Sequence, residues 1–224
     1  MTFSLVGRCA RTGMLGLAVA SSSPAVAARC AWARAGAGAV ATQNVTDPAL
    51  APLVLDRLAA GRPAAAALDE VLASAAHAEY RQLAVIDAAG RTAAYSGART
   101  LGRHATGAGT DCLAAGNLLA GEQVIPAMVH AFGQRPQVHL ASRLLDAISA
   151  GAAAGGEEGP VHSCGLLVVD QVTWPVTDLR VDWQADPIAG LARLWAIWQP
   201  QEADYVRRAL DPAAAASYGV PGDQ

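Results

Sequence analysis

The stretch from Thr2 to Ser23 constrains this chain more than any other. Thr2-Phe3-Ser4-Leu5-Val6-Gly7-Arg8 alternates with the two-residue period of a half-buried strand. Ala10-Arg11-Thr12-Gly13 is a turn, and Met14-Leu15-Gly16-Leu17-Ala18-Val19-Ala20 runs back as a second, more buried strand. A hairpin in this place has a chemical meaning. If Met1 is removed, Thr2 carries a hydroxyl and a free α-amine, a nucleophile and a base in one residue.

The remaining elements are ordered in blocks. After the polar break Ser21-Ser22-Ser23-Pro24, Ala28 to Ala33 and Ala37 to Thr42 read as strands, the second rich in small residues that suit close approach by another layer. Thr46 or Asp47 starts a helix with Leu50, Leu53, Val54 and Leu58 at helical spacing. Gly61 closes it, and Pro63 opens a second helix that fades near His77. Leu83 to Asp87 and Arg91 to Ser96 form a hairpin around Gly90, and Gly97 to Thr110 reads as a glycine-rich loop. Leu113 to Leu119 begins the second half. Gly121 to Phe132 and Gln137 to Ala150 are a second helical pair, and Gly151 to Pro160 is a flexible link. Ser163 to Asp170 is a central strand with Leu179 to Trp183 as its neighbour. Asp186-Pro187 starts a last helix with Ile188, Leu191, Leu194, Trp195 and Trp198 on its apolar side. Segregated runs of strands and helices predict an α+β fold, a four-layer αββα sandwich of two antiparallel sheets. One domain over residues 1–210 accommodates it, with a flexible C-terminal tail at 211–224.

Composition narrows the function classes. The 224 residues are 53% hydrophobic and 16% charged, with no apolar run of membrane-spanning length. A net charge of −3 gives no reason to bind nucleic acid or anionic membrane. All sixteen basic residues are arginine, which excludes Schiff-base lysine, a P-loop lysine and a lysine base. Cys9, Cys30, Cys112 and Cys164 form no CxxC pair, so they are expected as reduced, buried residues and not as a zinc site. Arg8, Arg11, the run from Met14 to Ala20 and Ala25-Val26-Ala27 imitate a secretory signal. The apolar run is short and two-residue patterned, and the expected location is the cytoplasm.

The chain lacks HExxH, GxxxxGK and GxSxG. No cofactor or metal is expected, and the lone pairs Gly36-Ala37-Gly38 and Gly107-Ala108-Gly109 are weak nucleotide signals. His77, His130 and His139 lie in or beside helices, whereas His104, in the glycine-rich loop, is the better functional histidine. Ser21, Ser22 or Ser23 with His104 and an aspartate offers a serine-hydrolase reading.

Met1-Thr2-Phe3-Ser4, Thr12-Gly13, Gly16 to Ser21, Trp32 to Gly36, Gly38 to Gln43, Gly116 to Ala120 and Asp178 to Asp182 together resemble a bacterial family, the domain-of-unknown-function family 1028. It is grouped with the N-terminal-nucleophile (Ntn) hydrolases, and the resemblance spans roughly residues 1 to 200, with its blocks in the family's order. It implies a sheet sandwich flanked by helices and an amidohydrolase that works through an acyl-enzyme. Carried over, Thr2 Oγ1 is the nucleophile and its α-amine the base. Arg34 orients the amine or binds a substrate carboxylate, and Asn117, Thr42 or a backbone N–H holds the oxyanion. Ser21, Thr42, Gln43 and His104 complete the expected substrate contacts. Many threonine-type Ntn enzymes place a lysine near the nucleophile, and this chain has none.

The expected partner is a small amide substrate, a carboxylated one being suited to binding by arginine. A non-catalytic binding or scaffold protein that retained the sandwich is the rival from another class. A homo-oligomer is expected, with Trp195 and Trp198 either in the core or in a two-fold interface.

Overall fold

The computed structural model describes residues 1–219 and contains two antiparallel sheets. Strands β1 (Thr2–Arg8) and β2 (Leu15–Ser21) form the expected hairpin, with Phe3 opposite Ala20 and Arg8 opposite Leu15. They lie at the centre of a six-stranded sheet with β7 (Ala105–Gly109), β8 (Cys112–Asn117), β9 (Ser163–Val169) and β10 (Thr177–Val181), in the order β10-β9-β2-β1-β8-β7. The second sheet runs β3 (Ala31–Arg34), β4 (Gly38–Asn44), β5 (Arg81–Asp87), β6 (Thr92–Ser96).

The two-residue period of each strand sorts its side chains between two layers. From β1, Phe3 and Leu5 point outward, as do Ala18 and Ala20 of β2 and Leu166 and Val168 of β9. They pack on Met128 and Phe132 of α4 (Val124–Gly133) and on Leu140, Leu144 and Ile148 of α5 (Leu140–Ala153). On the other side, Val40, Leu83 and Val85 pack on α2 (Leu50–Ala59) and α3 (Ala64–Leu72) through Val54, Leu55, Leu68 and Val71. Between the sheets lie Val6, Leu15, Leu17, Ala39, Ala41, Ala84, Ile86, Leu113, Ala115 and Leu167. This is the four-layer αββα sandwich. Asp87, at the end of β5, accepts from Ala64 N at 3.1 Å and thereby ties α3 to the second sheet.

Four segments differ from the sequence reading. Val26–Cys30 is a short helix, α1, and not a strand: Ala25 is left-handed (φ 51), and Val26 N donates to Ser163 Oγ at 3.1 Å, which turns the chain into a helical start. The glycine-rich loop contains β7, whose edge position and small residues erase any hydrophobic alternation. The link from Gly151 to Pro160 is ordered: α5 runs on to Ala153, and Glu157 pairs with Leu119 in an isolated antiparallel bridge. Beyond α6 (Pro187–Trp198) a further helix, α7 (Glu202–Leu210), packs back on the fold.

Asp186 caps α6 as expected, accepting from Ala189 N. Trp195 is buried and donates to Ser142 Oγ at 3.0 Å, and Trp198 donates to Val176 O at 3.1 Å, so both indoles serve the protein's own core. Leu194, placed on the apolar side in the sequence reading, is instead exposed alongside Ile197. Of the expected tail, residues 220–224 lie outside the described residues, and Tyr218 stacks beneath the Arg208 guanidinium at 3.9 Å. Among the described residues no helix is long and apolar enough to cross a membrane.

Alanine on the facing strands sets the spacing of the sheets, so enlarging one of these residues overpacks a layer that cannot open locally. Ala84→Leu is expected to destabilise by about 1–3 kcal/mol, measured by urea unfolding.

Candidate active site

The strands that line the inter-sheet space turn polar at one end. Thr2 and Ser4 begin β1, Ser21 ends β2, Asn117 ends β8 and Ser163 begins β9. The facing sheet contributes Gln43 near the end of β4 and Gln82 near the start of β5. Antiparallel register brings these ends together: Thr2 lies opposite Asn117, Ser21 opposite Ser163 and Gln43 opposite Gln82. Thr2 is 5% exposed, and the other six are inaccessible to solvent.

The buried groups satisfy one another across the two sheets. Ser4 Oγ donates to Gln43 Oε1 at 2.7 Å, and Gln43 Nε2 donates to Gln82 Oε1 at 2.8 Å. Gln82 Nε2 donates to Ser96 Oγ and to Gly116 O, both at 3.0 Å, which fixes the orientation of its amide. Asn117 Nδ2 then donates to Gln82 Oε1 at 3.1 Å. Its Oδ1 is buried without a partner.

Thr2 Oγ1 donates to the Met1 carbonyl at 2.5 Å and lies 3.3 Å from Ser21 Oγ. Ser21 Oγ also reaches the Met1 carbonyl, and it lies 2.9 Å from Ser23 Oγ while accepting from Ser23 N at 3.1 Å. Arg29, in the last turn of α1, donates from Nη2 to Ser23 Oγ at 3.3 Å. A hydroxyl chain thus links Thr2 through Ser21 and Ser23 to a guanidinium.

Glu157 closes the other side. It is 3% exposed, and neither carboxylate oxygen makes a hydrogen bond of good geometry, although the Ser22 hydroxyl and backbone N–H approach it. Its neighbours fix its place: a Cβ on Gly156 would lie 3.4 Å from Phe3 Cε1, and one on Gly159 would lie 3.1 Å from Met1 Cε. Burial pushes its carboxyl up to about 7, opposed by the chain's amino-terminal ammonium and by Ser22.

The structure brings Thr2, Ser21, Gln43 and Asn117 to one place and leaves the other predicted residues elsewhere. Arg34 lies opposite Gly38, five residues along β4 from Gln43, or about 16 Å at strand spacing. It is half-exposed and pairs with Asp56 of α2 at 2.8 Å. Thr42 points to the other face of β4 and donates to Asp47 O at 3.2 Å, holding the loop before α2. His104 is exposed, its Nδ1 3.1 Å from Gly102 O, and makes no bond to a serine. Ser23 is bonded to Ser21 and Arg29, so the serine–histidine arrangement is not assembled. Burial pushes the Cys112 and Cys164 thiols up to about 11 and about 12 and raises Cys30, so these remain protonated.

Sequence reasoning missed Arg29 and Glu157. Arg29 was hidden in a segment read as a strand, and Glu157 in a segment read as a linker. A usable signal did exist. The inward-facing residues of β1, β2, β8, β4 and β5 each run from small or apolar to polar at the same end, which marks that end of the cleft.

Two predictions follow from these buried groups. Gln82→Leu removes the acceptor of Gln43 and Asn117 and is expected to cost about 2–4 kcal/mol in chemical unfolding, more than a surface change, because several buried donors lose partners together. Glu157 ionises higher in the fold than its ordinary 4.5, so its stabilising share is whole below about pH 4.5 and is lost as pH rises through 7. From 4.5 to about 7, at about 1.4 kcal/mol per pH unit, Glu157→Gln should gain on the order of 3 kcal/mol on wild type between pH 4.5 and 8, read from unfolding curves of both proteins.

The model of a family of unknown function, DUF1028, matches residues 2–191. A solved structure of a protein of that family from Silicibacter pomeroyi is 29% identical with a TM-score of 0.83, covering 92% of this chain and 94% of its own. Anbu (ancestral beta-subunit) from Yersinia bercovieri is 10% identical at a TM-score of 0.38, covering 92% and 97%. Anbu from Hyphomicrobium sp. strain MC1 is 11% identical at 0.41, covering 92% and 98%. Nothing matches among curated protein sequences. With the family model spanning most of its length, the chain belongs to the DUF1028 family.

Proposed function

We propose that this protein is an amide hydrolase whose nucleophile is Thr2, freed by loss of Met1. The observation that carries this reading is the Thr2 hydroxyl, held at the end of β1 against a carbonyl group and beside a second hydroxyl, Ser21. While Met1 is attached, the nitrogen of Thr2 is a peptide nitrogen and cannot accept a proton. Once freed, it is an α-amine with an ordinary pKa of about 7.7–8.0, a usable base near neutral pH.

The roles follow from the hydrogen bonds. Thr2 Oγ1 attacks the substrate carbonyl as its proton passes to the α-amine. The Ser21 hydroxyl, which donates to the carbonyl oxygen of Met1, donates to the developing oxyanion. The C–N bond breaks as the amine returns the proton to the leaving nitrogen. Water then attacks the Thr2 ester and releases the acid. Asn117 takes a different role from the one expected of it: its Nδ2 is committed to Gln82, and its free Oδ1, opposite Thr2, accepts an N–H of the α-ammonium. Gln43 and Gln82 hold Asn117 in place.

Four free, buried cysteines suit a cytoplasmic site of action. Exposed Ile197 and Trp183, 63% and 61% accessible, suit burial in a homo-oligomer.

Intact mass of purified protein should show loss of Met1, and that species should hydrolyse amides from a small-molecule panel. Thr2→Ala, equally freed of Met1, should reduce turnover by at least about 10³-fold while melting like wild type. Full activity with Met1 retained, or in Thr2→Ala, rules the mechanism out. A processed protein that binds but never turns over its ligands returns the reading to a non-catalytic binder.

A further inference from the structure

We propose that Glu157 receives the α-ammonium group of the substrate, which makes the substrate class amides of α-amino acids with a free amino group and an unbranched apolar side chain. This rests on Thr2 being the nucleophile and names what that site acts on.

Met1 shows the shape of the site. Its carbonyl oxygen accepts from Thr2 Oγ1 and Ser21 Oγ, the two hydroxyls that a bound substrate carbonyl would meet. Its thioether lies over Gly159, where a side chain on residue 159 would intrude. Its ammonium exerts a favourable charge interaction on Glu157. The cation that Glu157 senses therefore belongs to residue 1, whose thioether packs on Gly159, two residues along the chain from Glu157, and which stands one peptide unit before the nitrogen that becomes the catalytic amine. Loss of Met1 vacates this place and removes the ammonium, leaving a buried carboxyl group with no cation beside it and only the Ser22 hydroxyl and N–H approaching it. A buried carboxylate without a partner is costly, and an ammonium placed against it restores the pairing.

The polarity of the site argues the same way. Arg34, the expected receiver of a substrate carboxylate, is paired with Asp56 at the far end of its strand. Arg29 lies behind Ser23 and two backbone carbonyls, those of Pro24 and Ala25. The group with unsatisfied capacity next to the Met1 site is acidic.

The test compares methionine p-nitroanilide with N-acetylmethionine p-nitroanilide, using protein freed of Met1. Wild type should favour the free-amine substrate by about 10²-fold in kcat/KM, the cost of leaving one buried charge unpaired. In Glu157→Gln the ratio should fall to within about threefold. Gly159→Ala, a second and independent variant, should raise KM for the methionyl substrate over the glycyl analogue. Equal use of both anilides by wild type overturns the assignment of Glu157 and leaves the hydrolase reading standing. If neither anilide is cleaved, NMR titration with methioninamide and N-acetylmethioninamide decides. Binding of the first alone, weakened at least about tenfold in Glu157→Gln, supports the ammonium site and removes the hydrolase reading, whereas binding of neither overturns the proposal.

Discussion

Two sheets that face each other through alanine leave little room between them, and the rest of the structure depends on that closeness. Ala39, Ala41, Ala84 and Ala115 let the backbones approach while Val6, Leu17, Ile86 and Leu167 fill the gap. The inward faces are closed to solvent, so polar side chains there pair with other protein groups, several of them across the gap between the sheets. Gln43 and Gln82 do so for Ser4, Asn117 and the Gly116 carbonyl. The same narrowness that makes the core apolar at one end makes the polar end rigid at the other. Thr2 inherits this rigidity because it begins the central strand.

The layered fold was legible because its signals are local and repeated. The hairpin at Thr2, the hairpin around Gly90 and the paired helical runs each carry their own period, and their block order leaves the αββα arrangement as the natural packing. The failures share a physical cause, which is small residues. Ala25 to Ala28 has no pattern to separate helix from strand, and Ala105 to Gly109 pairs as an edge strand with nothing apolar to alternate. Gly155 and Gly156 read as slack, yet both have positive φ and fold the chain back so that Glu157 meets Leu119. Arg34 was misplaced for another reason. A position along the chain does not say which end of a strand a residue occupies until the register is known, and the register places it beside Gly38.

Where the local rules are obeyed throughout, a departure from them carries information. Among the described residues the buried side-chain atoms without a well-formed hydrogen bond are few; besides Arg8 Nε, Arg81 Nε and His139 Nε2 they are Asn117 Oδ1 and both oxygens of Glu157, and only these last three belong to the candidate site. All three are acceptors. One lies on the residue directly across the strand from Thr2, and the others on a residue two positions from Gly159, which packs against Met1. A structural role for this set would have cost less with apolar residues of similar size, because an unsatisfied buried acceptor destabilises by its full desolvation penalty. Acceptors without donors define a place prepared for N–H groups.

Two N–H-bearing groups are available to fill it, and they differ by one residue. Cleavage before Thr2 converts a peptide nitrogen into an ammonium, and Asn117 Oδ1, in register with Thr2, is the acceptor placed for it. Glu157 stands farther out, against the residue that cleavage removes. The inner acceptor is neutral, so in the proposed hydrolase it orients the α-amine without setting an opposite charge against it. The outer acceptor can ionise, and a carboxyl whose burial holds it near 7 gains from a protonated α-amine beside it. In the proposed hydrolase, exchanging the two would set a carboxylate against the α-amine, which favours its protonated form, and leave an incoming ammonium with only a dipole. The order in which the acceptors are set, neutral beside Thr2 and acidic beyond it, suits the proposed hydrolase, which would have to tell its own amine from that of its substrate.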